Sequence, residues 1–309
     1  MPELPEVETI RMQLTSLIIG QIIKDIQILK AKSFIGDKKL VIGKKIVGIR
    51  RFAKMLVIDL SGPPSGEASG LSIAIHLKMS GQLIYTNSKF KIQNSNQIQN
   101  SNDPLLKVLP NKHTRVIIEF QSGDHLFFND MRIFGWMRII NSKFKIQNSN
   151  QTQNSKSKIV SLETLINNLG PEPFKDLTAE KFKEILRSSK KPVKLVLLDQ
   201  EKIAGAGNIY ANEALFSAKI HPKTPANRLS KEETELLYDK LLKVLREGIK
   251  YGGASEDNYR DAYGHKGTFH EHFRVYGRQK LLCVNGCGGK IERIALGGRG
   301  TFFCPKCQT

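Results

Sequence analysis

Long apolar runs are missing from this chain. No stretch of about 18 apolar residues occurs, and the N-terminus lacks the basic-then-apolar order of a secretory leader. These absences argue against a membrane-spanning or secreted protein and set the expectation of a cytoplasmic one with no membrane partner. Acidic residues are scarce as well: Asp plus Glu number 29 against 48 Lys plus Arg, a formal net charge of +19. On a folded chain such an excess suggests a polyanion, nucleic acid first, although a generally basic surface gives the same count. The apolar fraction of 40% over 309 residues is enough to build about two domains, each with its own core.

Cysteine is scarce, and all four residues are confined to the last stretch, LLCVNGCGGKIERIALGGRGTFFCPKCQT. Three residues separate Cys283 from Cys287, two separate Cys304 from Cys307, and sixteen lie between the pairs. Two close pairs joined by a Gly-rich, hairpin-like segment can deliver four thiolates to one tetrahedral Zn²⁺. Two disulfides, or one disulfide and two free thiols, are the alternatives, and a reducing compartment disfavours them. Four protein ligands leave no open position for water, so the expected ion is structural. Arg299, in GGRG, sits where a turn between the pairs would hold it outward, and on so basic a chain a phosphate contact is its expected use.

Two stretches look foreign to the rest. NSKFKIQNSNQIQNSN at 87–102 and NSKFKIQNSNQTQNSK at 141–156 share their first eleven residues. Two copies separated by unrelated sequence do not make a solenoid. Their Asn, Gln, Ser and Lys content offers too little apolar surface to offset the cost of ordering, so both are read as inserted, disordered loops without chemistry. With them set aside, residues 3–18 have acidic residues at the start and Val7, Ile10, Leu14, Leu17 and Ile18 at helical spacing. From Ile22 to about Ile140, short apolar or alternating runs between Gly, Pro and Ser-Gly turns predict antiparallel strands. From about Ser161 to Tyr251 the pattern turns helical. Ser230 and Glu233 form a capping box there, and Leu237, Leu241, Val244 and Leu245 mark one apolar face. The resulting α+β organisation places a β-rich domain at 1–140, with an Asn-rich insert at 87–102, and an Asn-rich linker at 141–160. A helical domain at 161–270 and a zinc finger at 271–309 follow.

The opening MPELPEVETI sets Pro2 among Glu3, Glu6 and Glu8. Methionine is commonly removed before a small residue such as proline, which would leave Pro2 with a free secondary amine. An α-amine titrates at about 7.7–8.0, so roughly a third is neutral at pH 7.5, against about 0.1% for an ordinary lysine. Such an amine can attack a sugar C1′ to give an iminium, with Glu3 placed as general acid or to hold the opening sugar. On this stretch alone, the plainer reading is that a proline followed by acids opens a helix.

The wider sequence changes that balance. MPELPEVET, RRFAKMLVIDL, IHLKMSG, NDMRIFG, LGPEPF, AGAGNIYANEALF, the GG…HEHFRVYGR segment and the cysteine hairpin occur in an order that resembles formamidopyrimidine-DNA glycosylase, a bifunctional repair enzyme with AP-lyase activity. The resemblance covers nearly the whole chain apart from the Asn-rich stretches. It implies a helix-flanked β-sandwich, a helix–two-turns–helix module and a β-hairpin zinc finger. It also implies Pro2 as the Schiff-base nucleophile, Glu3 in ring opening and proton transfer, and Glu6 in support of the N-terminus. Lys54 and His76 match backbone-contacting positions, Asn208 and Arg299 a phosphate clamp flanking the lesion, and Lys194 a lysine near the lesion. Met79, Arg132 and Phe134 match a triad inserted where the damaged base leaves the stack. By residue type alone, Met79 and Phe134 read as core and Arg132 as a surface charge. Residues 252–268 match a loop that closes over the everted purine, where mobility is expected.

The implied partner is double-stranded DNA carrying an oxidised purine, met by a monomeric, bacterial, nucleoid-associated cytoplasmic enzyme. The implied metal is one structural zinc on Cys283, Cys287, Cys304 and Cys307. Three features depart from the pattern. The first cysteine pair is spaced by three residues where two are usual, Met131 and Ile133 replace the Pro and Arg common around the inserted arginine, and Lys78 occupies a site often Gly or basic. An endonuclease VIII-like enzyme for oxidised pyrimidines and a non-catalytic damaged-DNA-binding protein are the alternatives. A zinc-dependent nuclease is disfavoured because all four expected ligands are thiolates.

Overall fold

The computed structural model describes residues 1–62, 70–88, 108–142, 159–255 and 258–309. Apart from their first two residues, both Asn-rich stretches lie outside the described residues, and so does their expected disorder. Positions 256 and 257 of the 252–268 loop lie outside them too. The chain forms two compact units. Residues 1–2, 6–167 and 255–267 make the first, and 3–5, 168–254 and 268–309 the second.

In the first unit, helix α1 (Leu4–Ile18) buries Val7, Ile10, Leu14 and Ile18, the spacing read from sequence. Ten strands follow among the described residues: β1 (Ile23–Ile28), β2 (Phe34–Ile35), β3 (Ile46–Phe52), β4 (Met55–Leu60), β5 (Leu71–His76), β6 (Gly81–Thr86), β7 (Thr114–Phe120), β8 (His125–Asp130), β9 (Trp136–Asn141) and β10 (Val160–Ser161). One sheet runs β1-β7-β8-β6, and the other runs β10-β9-β5-β4-β3 with β2 also on β9. One apolar cluster draws on α1 and both sheets, including Ile26, Ile58, Ile73, Leu83, Ile118, Phe128 and Met137, which makes this a sandwich. Met55, Val57, Ala74 and Ile140 bury the outer face of the second sheet against helix α2 (Leu162–Ile166). Covered on both faces, β4 is therefore continuously apolar, MLVI, rather than alternating. Most pairings are antiparallel, but β2 and β10 join β9 in parallel, and strands this short leave no periodic trace in sequence.

The second unit contains α3 (Ala179–Arg187), α4 (Val193–Leu198), α5 (Asn208–Ser217), α6 (Lys231–Lys250) and the hairpin β11 (Glu292–Leu296) and β12 (Arg299–Phe303). Ser230 caps α6 reciprocally with Glu233, and Leu237, Leu241, Val244 and Leu245 are buried. Residues 209–216 of α5 are buried on every side. Gly248 of α6 is needed there, because a Cβ at that position would overlap the Tyr210 ring.

Candidate active site and nucleic-acid interface

The chain enters with Met1 45% exposed and Pro2 buried. Glu3, almost fully buried, reaches the N-terminal end of α5, where its Oε1 accepts the Ile209 N–H at 3.2 Å. The α5 N-cap, Gly207, provides no side-chain cap, so Glu3 supplies the anion that this helix end favours. Gly207 is also required sterically, since a Cβ built there would overlap the Glu3 carboxyl group. Gly207→Ala should evict Glu3 and destabilise the protein by about 1–3 kcal/mol, as overpacking of a filled site does. Thermal denaturation checks this, and an unchanged Tm would place the carboxylate elsewhere. In the first unit, buried Glu6 accepts the Tyr259 hydroxyl at its backbone carbonyl, 3.3 Å away.

Five candidate residues gather at one end of the second sheet. Met55, His76 and Trp136 pair in a row across β4, β5 and β9. The β3–β4 turn with Lys54, the 77–80 turn with Met79 and the 131–135 loop with Arg132 and Phe134 therefore all leave the sheet at that end. Lys54 is buried, and Ala53 before it has φ +50°. Arg51, paired with Glu8 at 2.7 Å, donates to the Ala53 carbonyl at 2.9 Å and fixes this turn. Burial, with repulsion from Lys78 and Lys54, pushes His76 down to about 3, so the ring is neutral at physiological pH. His76 Nδ1 accepts the Lys78 N–H at 3.0 Å, which puts the ring proton on Nε2 as a donor.

Met79 is half-buried, whereas Arg132 is exposed and Phe134 is 55% exposed. This corrects the reading of Phe134 as core: it follows Ile133, whose φ of +56° turns the loop outward.

The remaining candidates lie in the second unit. Lys194 of α4 is fully buried and donates from Nζ to the Gly300 carbonyl at 3.0 Å and to Thr301 Oγ1 at 2.7 Å. Asn208, the first residue of α5, donates to the same Gly300 carbonyl at 3.1 Å. Arg299 is exposed at the start of β12, directly after Gly297 and Gly298, whose φ values of +58° and +70° make the two-residue turn. Asn208 and Lys194 thus meet on one hairpin carbonyl, one residue after Arg299.

Burial pushes Lys194 down to about 7, with Glu3 opposing and Arg299 reinforcing the shift. The unfolded chain holds this proton up to about 10.5 while the folded chain releases it near 7, so folding stability rises with pH across that window. Lys194→Met should flatten the rise in denaturant titrations at pH 7, 8.5 and 10. An identical slope in the variant would contradict the shift.

The four cysteine sulfurs lie within 4.8 Å of one another. Cys283 and Cys307 are 3.7 Å apart and Cys287 and Cys304 3.5 Å, far beyond the 2.05 Å or so of a disulfide. Tetrahedral zinc at about 2.3 Å from each sulfur spaces them by about 3.8 Å, so the donor set fits one structural Zn²⁺. Within the three-residue spacing of the first pair, Gly286 takes φ +69°, and Gly288 just after Cys287 takes φ +68°. Gly289 leaves room for the sulfurs, since a Cβ there would crowd Cys304 Sγ.

Three polar residues escaped the sequence reading of roles. Glu213 of α5 accepts the N–H groups of Arg274, Val275 and Tyr276, at 2.8 Å for Tyr276, and ties the segment entering the finger to the helix. Asn212 accepts the Phe302 N–H at 2.9 Å. Asp130 is buried at the end of β8. For Glu213 and Asn212, the available signal is polarity inside an otherwise apolar helix, NIYANEALF.

Comparison with known proteins matches the Formamidopyrimidine-DNA glycosylase N-terminal domain to residues 1–137, its H2TH domain to 169–259, and the zinc finger found in FPG and IleRS to 282–309. The formamidopyrimidine-DNA glycosylase of Ligilactobacillus salivarius is 36% identical over 313 residues, covering 100% of this chain and 99% of the relative. That of Chloroflexus aurantiacus is 35% identical over 314 residues, covering 100% and 98%. Among solved structures, Lactococcus lactis Fpg in complex with an abasic site containing DNA matches with TM-score 0.79 and 31% identity, covering 100% of both chains. The MutM (Fpg) protein of Thermus thermophilus matches with TM-score 0.77 and 33% identity, covering 99% and 98%. Among the described residues, no helix is long and apolar enough to cross a membrane.

Proposed function

The chain belongs to the formamidopyrimidine-DNA glycosylase family, and from that membership we propose that it excises oxidised purines from duplex DNA through the amine of Pro2 and then cleaves the abasic site by β,δ-elimination. It acts as a monomer on the DNA of a bacterial cytoplasm. The observation that carries this reading is family likeness over the full chain with Pro2 and Glu3 retained, together with a Glu3 carboxylate anchored on α5.

Binding comes first, from Arg299 and Asn208 on phosphates flanking the lesion and from Lys54 and the neutral His76 on the backbone nearby, with strong salt dependence. Phe134 wedges a base step, Met79 fills the vacated space and Arg132 donates to the orphaned cytosine. The exposure of Phe134 and Arg132 supports this assignment. Removal of Met1 converts the Pro2 nitrogen from a tertiary amide to a secondary amine, and the exposure of Met1 leaves that peptide bond open to an aminopeptidase.

The neutral amine attacks C1′, the purine departs with its bonding electrons and takes a proton from water, and the proton shed by the proline nitrogen passes through the Glu3 carboxylate to O4′ as the sugar ring opens to an iminium. The resulting iminium acidifies the C2′–H. Loss of that proton expels the 3′ phosphate, a second elimination expels the 5′ phosphate, and water hydrolyses the iminium to release the sugar remnant from Pro2, leaving a one-nucleotide gap with phosphates at both ends. Zinc on Cys283, Cys287, Cys304 and Cys307 supplies a rigid anchor for the hairpin that presents Arg299.

Borohydride trapping on a duplex with 8-oxoguanine opposite cytosine, followed by mass spectrometry of the cross-linked peptide, tests the proposal. An adduct on Pro2 with Met1 absent is expected. An adduct formed only with oxidised pyrimidine would move the substrate to the endonuclease VIII class, and none on either duplex would leave a non-catalytic binder.

A further inference from the structure

We infer that Asp130 is a positioning residue that locks the turns carrying Met79, Arg132 and Phe134 into one rigid element, an inference that rests on the proposed entry of those three side chains into the DNA stack. The 77–80 turn carries the chain from β5 in one sheet to β6 in the other, and the 131–135 loop carries it back from β8 to β9. Gly81 pairs with Asp130, so both crossovers pass the same end of the sandwich side by side.

Asp130 is fully buried between them and both its oxygens are used. Oδ1 accepts the Ser80 hydroxyl from the first turn and the Arg132 N–H, at 3.1 Å, from the second. Oδ2 accepts the Phe134 and Gly135 N–H groups at 2.8 and 2.7 Å. Ser80 Oγ also accepts the Arg132 N–H, at 3.0 Å, closing the link between the turns.

The backbone carries the mark of this constraint. Ile133 is β-branched yet sits at φ +56°, a conformation such a residue adopts only where its surroundings impose it. Gly135 closes the loop where a Cβ would strike the Phe128 ring, the His76 carbonyl and Asp130 itself. Two independent turns would each have to order as DNA enters. Held on one carboxylate, they present wedge, filler and cytosine donor together, with that entropy already spent in folding. Asparagine is nearly isosteric but replaces one acceptor oxygen with an NH₂ that faces N–H donors, so it breaks the lock without opening a cavity.

The test compares the parent with Asp130→Asn in single-turnover excision of 8-oxoguanine opposite cytosine and in cleavage of a preformed abasic site. Excision should fall about a hundredfold, the scale of a small misplacement of reacting groups, while abasic-site cleavage, with no base to expel, falls less than about threefold. The preference for cytosine over adenine opposite the lesion should narrow. Ser80→Ala, which removes only the bridging hydroxyl, should act in the same direction at about tenfold with a Tm close to that of the parent. Equal losses of both activities, or unchanged excision, would overturn the inference.

Hydrogen exchange at the Arg132, Phe134 and Gly135 amides is read without DNA. It should accelerate about a hundredfold in Asp130→Asn, and unchanged exchange overturns the lock. A parent protein inactive on both substrates would sink the proposed function while leaving that exchange result to decide the role of Asp130.

Discussion

Protein that carries one further residue between Met1 and Pro2, so that the proline nitrogen stays acylated, will form no borohydride-trapped adduct, and its lesion excision will fall by at least about a thousandfold. An amide nitrogen shares its lone pair with the carbonyl and cannot attack C1′, whereas a free α-amine with pKa about 7.7–8.0 is roughly one-third neutral at pH 7.5. Lesion-DNA affinity should change by no more than a few-fold, because the proposed phosphate contacts of Lys54, Asn208 and Arg299 do not involve the amine. The result also discriminates between two amines. Lys194, pushed down to about 7, is largely neutral at pH 7.5 as well. Its Nζ is committed to Gly300 and Thr301, which argues against a second nucleophile. If trapping survives in the blocked protein and maps to Lys194, the assignment to Pro2 is wrong.

Removal of zinc is expected to be the most damaging change outside the N-terminus. The finger rests on a two-stranded hairpin and a cluster of Phe216, Val275, Cys283, Ile291, Phe302 and Cys304, too small a core to hold a hairpin in water by itself. Structural zinc contributes on the order of 10 kcal/mol to modules of this kind. Without it β12 loosens, and Asn208 and Lys194 lose the Gly300 carbonyl that both now share. Chelated protein, or Cys304→Ser, should bind lesion duplex at least about a hundredfold more weakly, as loss of the phosphate contact at Arg299 and the disorder around it combine. Zinc content, affinity at fixed salt and limited proteolysis of residues 275–309 would be measured together. Zinc-free protein that keeps both its affinity and its protease resistance would show that the hairpin stands without the metal.

How far the sequence reveals this molecule depends on whether a feature is local. Helix α1, the capping box of α6 and the cysteine cluster are periodic or closely spaced in the chain, and each is present in the structure. Lys194 was not legible as buried, since lysine is ordinarily a surface residue and its acceptors lie more than a hundred positions away. Asp130 and Ser80 meet through a crossover between sheets that no period announces. Residues 255–267 group with the first unit, although helical elements precede them and the finger follows. Gln13 explains part of this, donating to Asp261 and accepting from Ala262, both at 2.8 Å. For the motif residues, likeness of pattern suggested roles that residue type could not, and for Phe134 residue type pointed the wrong way.

The two Asn-rich copies begin where strands end, at Asn87 just after β6 and at Asn141, the last residue of β9. Placement at strand ends explains why the sheets tolerate them, yet it brackets a working part of the fold. A deletion from one copy to the matching point of the other would leave a single copy and remove everything between them. That deletion takes β7, β8 and nearly all of β9, and with them Asp130, Arg132 and Phe134. The two copies therefore bracket the segment on which the proposed eversion of the base depends.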